Sequence, residues 1–196
     1  MYALRNRYSL LRLMVLSLLT LGILAPPLPA EGVDPFIRSI QLREGNGSIF
    51  LSAELDAQLG EELKEAVRGG VPLTFRFRIR LTREGSILGE KMLRSEELIH
   101  TLQYNPVKQF YVFTGEGYGS AFERTTKDEE EAFYWMTNLT DWPLVSLDEL
   151  KHRIRYRVRV MATLRSVELP SVLGYLFFFT TIFNKETGWK ELDFSY

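Results

Sequence analysis

Two long runs of alternating residues constrain the fold of this chain more than any other feature. In residues 71–82 every second side chain is apolar, and the positions between them include Arg76, Arg78 and Arg80. Residues 152–165 repeat the pattern, again with arginines between apolar residues. Successive side chains of a β-strand point to opposite faces, so each run predicts a strand with one buried and one solvated face.

A hairpin is predicted ahead of these runs. Asn46-Gly47 lies between extended runs at residues 36–43 and 49–55. This dipeptide favours a two-residue turn, because both turn positions need a positive φ. Further strands are predicted at residues 90–102, 107–114, 121–125, 172–183 and 189–194.

Short helices are predicted from capping signals. Asp56 is expected to cap a helix that ends at Gly69-Gly70, since aspartate accepts hydrogen bonds from first-turn amides and glycine ends helices. Residues 126–129 and 146–149 both have the Ser/Thr-x-x-Glu pattern of a capping box. Long half-buried strands with only short helices predict a mainly β fold for residues 34–196. We expect a single antiparallel β-sandwich-like domain with two or three short helices.

Residues 1–30 have the layout of an export signal. Arg5, Arg7 and Arg12 precede an apolar run at residues 13–24, and a proline-containing segment follows up to Ala30. The apolar run is short for a membrane-spanning helix, which needs about 20 residues. We expect either a signal peptide cleaved after Ala30 or an uncleaved signal anchor that contacts the membrane. The domain is therefore predicted to be exported, either periplasmic or anchored in the inner membrane facing the periplasm.

Composition narrows the possible chemistry. The formal net charge of −1 argues against a nucleic-acid partner. The chain has no cysteine, which excludes disulfides, thiolate metal sites and lipid attachment at cysteine. Its two histidines, His100 and His152, have no neighbour at metal-ligand spacing. We therefore expect no metal site and no cofactor.

The strongest candidate binding feature is a pair of arginine stripes. The stripes are Arg76, Arg78 and Arg80 on one predicted strand, and Arg153, Arg155, Arg157 and Arg159 on another. Like charges directly opposite each other across a sheet repel, so two hypotheses follow. In the first, an acidic or neutral strand separates the stripes, and the arginines pair with Glu54, Glu90, Glu96 or Glu123. In the second, the stripes converge into a basic face that binds an anionic lipid, a wall polymer or an envelope protein.

Three other features have simpler structural explanations. The acidic run at residues 128–131 fits the first turn of a helix better than a cation site. Residues 115–119 are interpreted as a turn, because the segment lacks the Lys-Ser/Thr of a phosphate-binding loop. The tryptophans Trp135, Trp142 and Trp189 are expected in core or rim packing, with an aromatic ligand lip at Trp142-Pro143 as the alternative.

An ordered set of short motifs carries a resemblance to a known family. The motifs are Ile49-Phe-Leu-Ser-Ala53, Gly70-Val-Pro-Leu-Thr-Phe75, Leu102-Gln-Tyr104, Gln109-Phe-Tyr-Val112, Tyr156-Arg-Val-Arg-Val160 and Leu169-Pro170. In this order, after a leader, they resemble the bacterial exported proteins grouped as domain-of-unknown-function family 4390. The resemblance implies a setting in the bacterial envelope. It assigns no activity and no site residue.

The sequence favours an exported cell-envelope protein that acts as a non-catalytic binding or scaffolding module. The alternative is a periplasmic hydrolase that uses a His–carboxylate pair containing His100 or His152. The fold would have to bring the histidine and the carboxylate together, because neither histidine has a neighbour in the chain at a spacing typical of a catalytic motif.

Overall fold

The computed structural model describes residues 34–85, 89–117, 119–166 and 185–196. The predicted leader at residues 1–30 and the predicted strand at residues 172–183 lie outside these residues. Within the described residues, no helix has the length and apolar character needed to cross a membrane.

Strands make up most of the described part of the chain. They are β1 (Phe36–Gly45), β2 (Ser48–Asp56), β3 (Leu73–Arg83), β4 (Lys91–Asn105), β5 (Phe110–Gly117), β6 (Ser120–Thr126), β7 (Asn138–Ser146), β8 (Arg155–Ser166) and β9 (Lys190–Ser195). The helices are α1 (Glu61–Arg68) and α2 (Glu129–Thr137), with one turn of 3-10 helix at Leu147–Glu149.

The strands form two antiparallel sheets, as the alternating sequence runs predict. One described sheet has the order β1-β2-β7 and the other has the order β6-β5-β4-β3-β8-β9. Apolar side chains from both sheets belong to one core cluster, which includes Leu51 of β2, Phe77 of β3 and Val158 of β8. The prediction of a mainly β, sandwich-like fold with few helices is confirmed.

The hairpin and the central strand follow their sequence signals closely. Asn46 and Gly47 both have positive φ, at 50° and 71°, and they connect β1 to β2. On β3 the apolar residues are buried while the alternate arginines remain partly accessible. Burying one face of a strand fixes its register, because a slip of one residue would move every apolar side chain to the solvent face.

The predicted cap of the first helix is wrong. Asp56 is the last residue of β2, and the N-cap of α1 is Gly60. The Asp56 carboxylate instead accepts a hydrogen bond from Nη2 of Arg38 at 2.5 Å and one from Nε2 of Gln58 at 2.6 Å. Hydrogen bonds from Arg38 and Gln58 lower the pKa of Asp56. A short polar side chain can serve a strand end as well as a helix start.

The predicted start of the second helix is shifted by two residues. Asp128, rather than Thr126, caps α2, and its Oδ1 accepts from the backbone N of Glu130 at 2.9 Å. The acidic first turn of α2 matches the interpretation of residues 128–131, since helix dipoles favour carboxylates there. The third predicted helix is reduced to the 3-10 turn after Ser146.

A charged cluster connects the two helices. Arg68 of α1 donates from Nε and Nη2 to the two carboxylate oxygens of Glu129 of α2, at 2.7 and 2.6 Å. Tyr111 of β5 donates its hydroxyl to Glu129 Oε2 at 2.6 Å. The hydrogen bonds from Arg68 are the largest cause that lowers the pKa of Glu129, to about 2. Helix α2 is thereby fixed against β5 beside the site described below.

Candidate functional site

The two arginine stripes lie on one face, because their strands are direct neighbours. β3 and β8 are paired in antiparallel register, with Arg80 opposite Arg159. The hypothesis that another strand separates the stripes is therefore wrong. Arg153 is not part of this face, since it lies in the turn before β8 with φ of 61°.

Carboxylates from flanking segments neutralise the arginine face. Arg157 donates to both carboxylate oxygens of Asp193 on β9, at 2.6 and 3.0 Å. Glu90 contacts both Arg157 and Arg159, at 3.1 and 3.0 Å, and Glu191 accepts from Arg159 Nε at 2.8 Å. These pairs explain how like charges coexist across β3 and β8.

The remaining arginines of the two strands are also engaged. Arg76 pairs with Glu97 at 2.7 Å and Arg78 with Glu186 at 2.9 Å. Arg80 lies over the ring of Trp189, with 4.8 Å between its guanidinium carbon and the ring centroid. Arg155 has a longer contact of 3.8 Å to Glu84.

Of the four acidic residues that the sequence suggested as neutralising partners, Glu90 has this role. Glu54 pairs with Arg38 on β1 instead, at 2.9 Å. An external anion at the arginine face would therefore compete with carboxylates that are already in place.

Both histidine side chains contact uncharged groups. His100 of β4 is buried, its Nδ1 is 3.2 Å from the backbone oxygen of Met136, and its ring packs against those of Phe77 and Phe113. Burial lowers the pKa of His100 to about 4, so the ring is neutral at physiological pH. His152 stacks on the ring of Tyr196 with 4.9 Å between centroids. Among the described residues, no carboxylate lies within ion-pair distance of either histidine.

An aromatic cavity lies between the two sheets, next to His100. Its volume is about 490 Å³, and its walls come from β4, β5, β6, β7 and the C-terminal half of α2. The aromatic side chains that line it are His100, Phe113, Phe122, Tyr134, Trp135 and Trp142. The polar residues that line it are Glu116, Arg124, Asn138, Thr140 and Asp141. Cavities of this size that combine aromatic side chains with a few placed polar groups are typical of ligand sites.

Two glycines of β5 allow aromatic rings of the cavity to pack directly against the strand backbone. A Cβ placed on Gly115 would lie 2.5 Å from Cζ of Phe122, and one on Gly117 would lie 2.7 Å from Cη2 of Trp142. Real side chains do not approach so closely, so both rings reach the strand backbone only because these residues are glycine. The interpretation of residues 115–119 as a turn is corrected here, since Gly115 and Gly117 belong to β5.

The rings at the cavity are unusually accessible for large apolar groups. Phe122 is 45% exposed and Tyr134 is 57% exposed. Trp142 is half-buried and lines the cavity, as the alternative interpretation of an aromatic ligand lip requires. Trp189, in contrast, lies under Arg80 on the outer face.

The charged residues that line the cavity are Glu116, Arg124 and Asp141, and they differ in their partners. Arg43 donates from Nε and Nη2 to Asp141 Oδ1, at 3.1 and 3.0 Å. Arg124 of β6 instead lies over two rings, 5.3 Å from the centroid of Phe122 and 5.8 Å from that of Trp135. The described part of the chain supplies no ion pair to the Arg124 guanidinium.

Sequence reasoning did not identify Phe122, Arg124 or Trp135 as site residues. Every residue of β6 before Thr126 is exposed, so the strand has no buried face that would set these side chains apart. The available signal was the pair of glycines opposite an aromatic residue, which indicates close approach of a side chain to a strand. Within the described residues, no cluster of three metal-ligating side chains occurs at the cavity or elsewhere.

Comparison with known proteins identifies one family. Residues 35–193 match a family model described as "Domain of unknown function (DUF4390)". The match covers nearly all of the strands and both helices. No curated protein and no solved structure matches the chain significantly.

Proposed function

The chain belongs to the DUF4390 family, and from this premise we propose that it is a non-catalytic binding module of the bacterial cell envelope. The proposed binding site is the aromatic cavity beneath Phe122 and Trp142. The observation that carries the proposal is the pair of rings held directly on the glycine backbone of β5 while still open to the cavity.

Exposed aromatic rings support a binding role because the contact of apolar surface with water is unfavourable in free energy. Burying apolar surface is worth about 25 cal/mol per Å², so rings left accessible around a concave site can contribute binding energy to a ligand. The rings are also held in place before a ligand arrives, by Gly115 and Gly117 below and by α2 at the side. A preformed site loses little conformational entropy on binding.

A hydrolase is the less favoured alternative. The ring nitrogen of His100 faces a backbone carbonyl, and burial holds the ring in its neutral form. His152 stacks on Tyr196 at the surface. General-base catalysis needs a positioned base within hydrogen-bond reach of a nucleophile, and these contacts favour structural roles for both rings.

Export is part of the proposal and rests on the sequence of residues 1–30. The basic start, the apolar run and Ala30 support translocation across the inner membrane. We expect the mature protein to begin at Glu31, or to keep its leader as an anchor. Mass spectrometry of the protein recovered from periplasmic and membrane fractions distinguishes these two forms, and recovery in the cytoplasm alone would refute export.

The arginine face remains a second predicted contact, for an anionic lipid or a wall polymer. It is secondary to the cavity because carboxylates already engage its guanidiniums. Salt-sensitive sedimentation with anionic vesicles tests it, and charge reversal at Arg76, Arg78, Arg155 and Arg157 should abolish that binding. Equal sedimentation of wild type and variant would refute it.

Fluorescent probe binding tests the cavity. N-phenyl-1-naphthylamine is neutral and apolar, and it should bind wild type with increased emission. Phe122→Ser should weaken this binding about tenfold, because a large aromatic wall is lost. Phe36→Ser is the matched control, since Phe36 is 44% exposed on β1 and does not line the cavity. Absence of probe binding, or equal loss in both variants, would refute the proposal.

A further inference from the structure

Arg124 is placed to act on whatever occupies the cavity. It lies on β6 in register with Phe113 of β5, and strand alternation puts both residues on the face that carries Gly115 and Phe122. Its guanidinium lies over Phe122 and Trp135, both of which line the cavity. Stacking on two rings holds the cation at the cavity rather than in bulk solvent.

The nearby acidic groups leave this cation uncompensated. Asp141 is engaged by Arg43 through two hydrogen bonds. Glu116 of β5 also lines the cavity, but strand alternation directs its side chain to the face opposite Gly115 and Gly117, and it forms no ion pair with Arg124. Glu123 is directed away from the Arg124 face of β6 for the same reason. Among the residues that the structure describes, the cavity therefore combines aromatic rings with polar residues and a single cationic group, the Arg124 guanidinium.

A guanidinium in this setting selects a particular ligand chemistry. Its planar fork of N–H donors matches the oxygens of a carboxylate or a phosphate, and charge-assisted hydrogen bonds are about twice as strong as neutral ones. One guanidinium balances the single charge of a carboxylate, whereas a phosphate monoester carries about −1.5 to −2 at pH 7 and would keep an unpaired charge. The other charged residues that line the cavity, Glu116 and Asp141, are acidic, so they favour no second anionic group on the ligand. The apolar walls favour a ligand body without charge.

We propose that the cavity binds an amphiphile with an apolar body and a single carboxylate, and that Arg124 binds the carboxylate. This inference rests on the proposed function, since it assigns a ligand class to the same cavity. The apolar body packs against Phe113, Phe122 and Trp142, and the carboxylate lies at the guanidinium.

Displacement of the neutral probe tests the ligand class. Decanoate and decanol share the same apolar chain and differ in their charged end. Decanoate should displace N-phenyl-1-naphthylamine from wild type at about tenfold lower concentration than decanol. The preference should shrink as salt is added, because salt screens an accessible ion pair. Decyl phosphate tests the competing anionic headgroup and should displace the probe less well than decanoate.

Variants of Arg124 locate the selectivity. Arg124→Gln removes the positive charge, so decanoate and decanol should displace the probe from this variant at about equal concentrations, each measured against the variant's own probe affinity. Arg124→Lys should retain part of the preference, because it keeps the charge without the fork. Arg153→Gln is the control, as Arg153 is exposed in the turn before β8, and its preference should match wild type.

The outcomes separate this inference from the proposed function. Equal displacement by decanoate and decanol in wild type, with the probe bound, refutes carboxylate selection and leaves the cavity as a binding site. Tighter binding of decyl phosphate than decanoate reassigns the headgroup and refutes the carboxylate. A preference that survives in Arg124→Gln refutes the role of Arg124. Failure of the probe to bind wild type refutes both.

Discussion

The ring of Phe122 packs directly over Gly115: its Cζ lies 2.5 Å from the position that a Cβ on residue 115 would occupy. Any larger residue at position 115 would therefore clash with this ring. Replacing Gly115 with alanine should displace the ring and weaken binding of the apolar probe about tenfold. Stability in urea should change by less than about 1 kcal/mol, because Phe122 is 45% exposed and can swing away, and because alanine favours a strand over glycine. Gly188→Ala is the control, because nothing lies within 4 Å of its added Cβ, and it should leave probe binding unchanged.

Gly117→Ala should move Trp142 instead. The added Cβ would lie 2.7 Å from the indole Cη2 and 3.1 Å from Cγ of Leu98, so the indole must shift outward. We expect a red shift of tryptophan emission and about tenfold weaker binding of the apolar probe. Unchanged emission and binding would show that the indole does not depend on the missing side chain.

His100 should make the protein sensitive to mild acid. Its pKa is about 6.5 in the unfolded chain and about 4 in the fold, where burial disfavours the charged ring. The unfolded state binds the proton first, so stability is complete above about pH 6.5 and falls as the pH drops towards 4. We expect a loss of about 2 kcal/mol between pH 7 and pH 5, measured by urea unfolding at both values.

A phenylalanine at position 100 provides the comparison. His100→Phe keeps an aromatic ring between Phe77 and Phe113 but has no proton to gain. Its stability should change little between pH 7 and pH 5. A variant as acid-sensitive as wild type would show that other groups cause the loss.

Glu129 should control stability at lower pH. The hydrogen bonds from Arg68 lower its pKa from 4.5 to about 2, so its contribution is complete above pH 4.5 and is lost as the pH falls towards 2. Glu129→Gln should cost about 1 kcal/mol at neutral pH, a value reduced for solvent screening, and should flatten the pH dependence in this range. Thermal unfolding from pH 2 to pH 6 measures both effects. Glu130→Gln, at an exposed neighbouring position, should leave them unchanged.

The sequence predicted the strands well and the cavity poorly, for physical reasons that differ by residue. Asn46-Gly47 and the alternation of β3 are local signals, and the structure follows both. The helix starts predicted from Asp56 and Thr126 are wrong, because the same polar side chains also form hydrogen bonds in turns and at strand ends. The cavity forms where β4, β5, β6, β7 and α2 meet, and apart from the two glycines of β5 no local pattern in the chain indicates that these elements come together.

The arginine stripes show the same limit. The alternation predicted the stripes, but their arrangement depended on which strands are neighbours. The pairing of Arg80 with Arg159 arises from sheet order, which short-range sequence patterns do not specify. The carboxylates that stabilise the face come from β9 and from Glu90. Strand β9 follows the second stripe by about 30 residues, and Glu90 lies just after β3 but is far in the chain from the arginines of β8 that it contacts.

The pairing of β3 with β8 also affects the order in which the chain can fold. Four strands lie between them in the chain, so the centre of the larger sheet cannot form until β8 is available to pair. Pairing across so long a stretch is slow, since a large loop must be ordered before its contacts form. If the chain is exported from its N-terminus, the larger sheet would stay incomplete during translocation. The sheet would form only after the last quarter of the chain, which contains β8 and β9, has crossed the membrane.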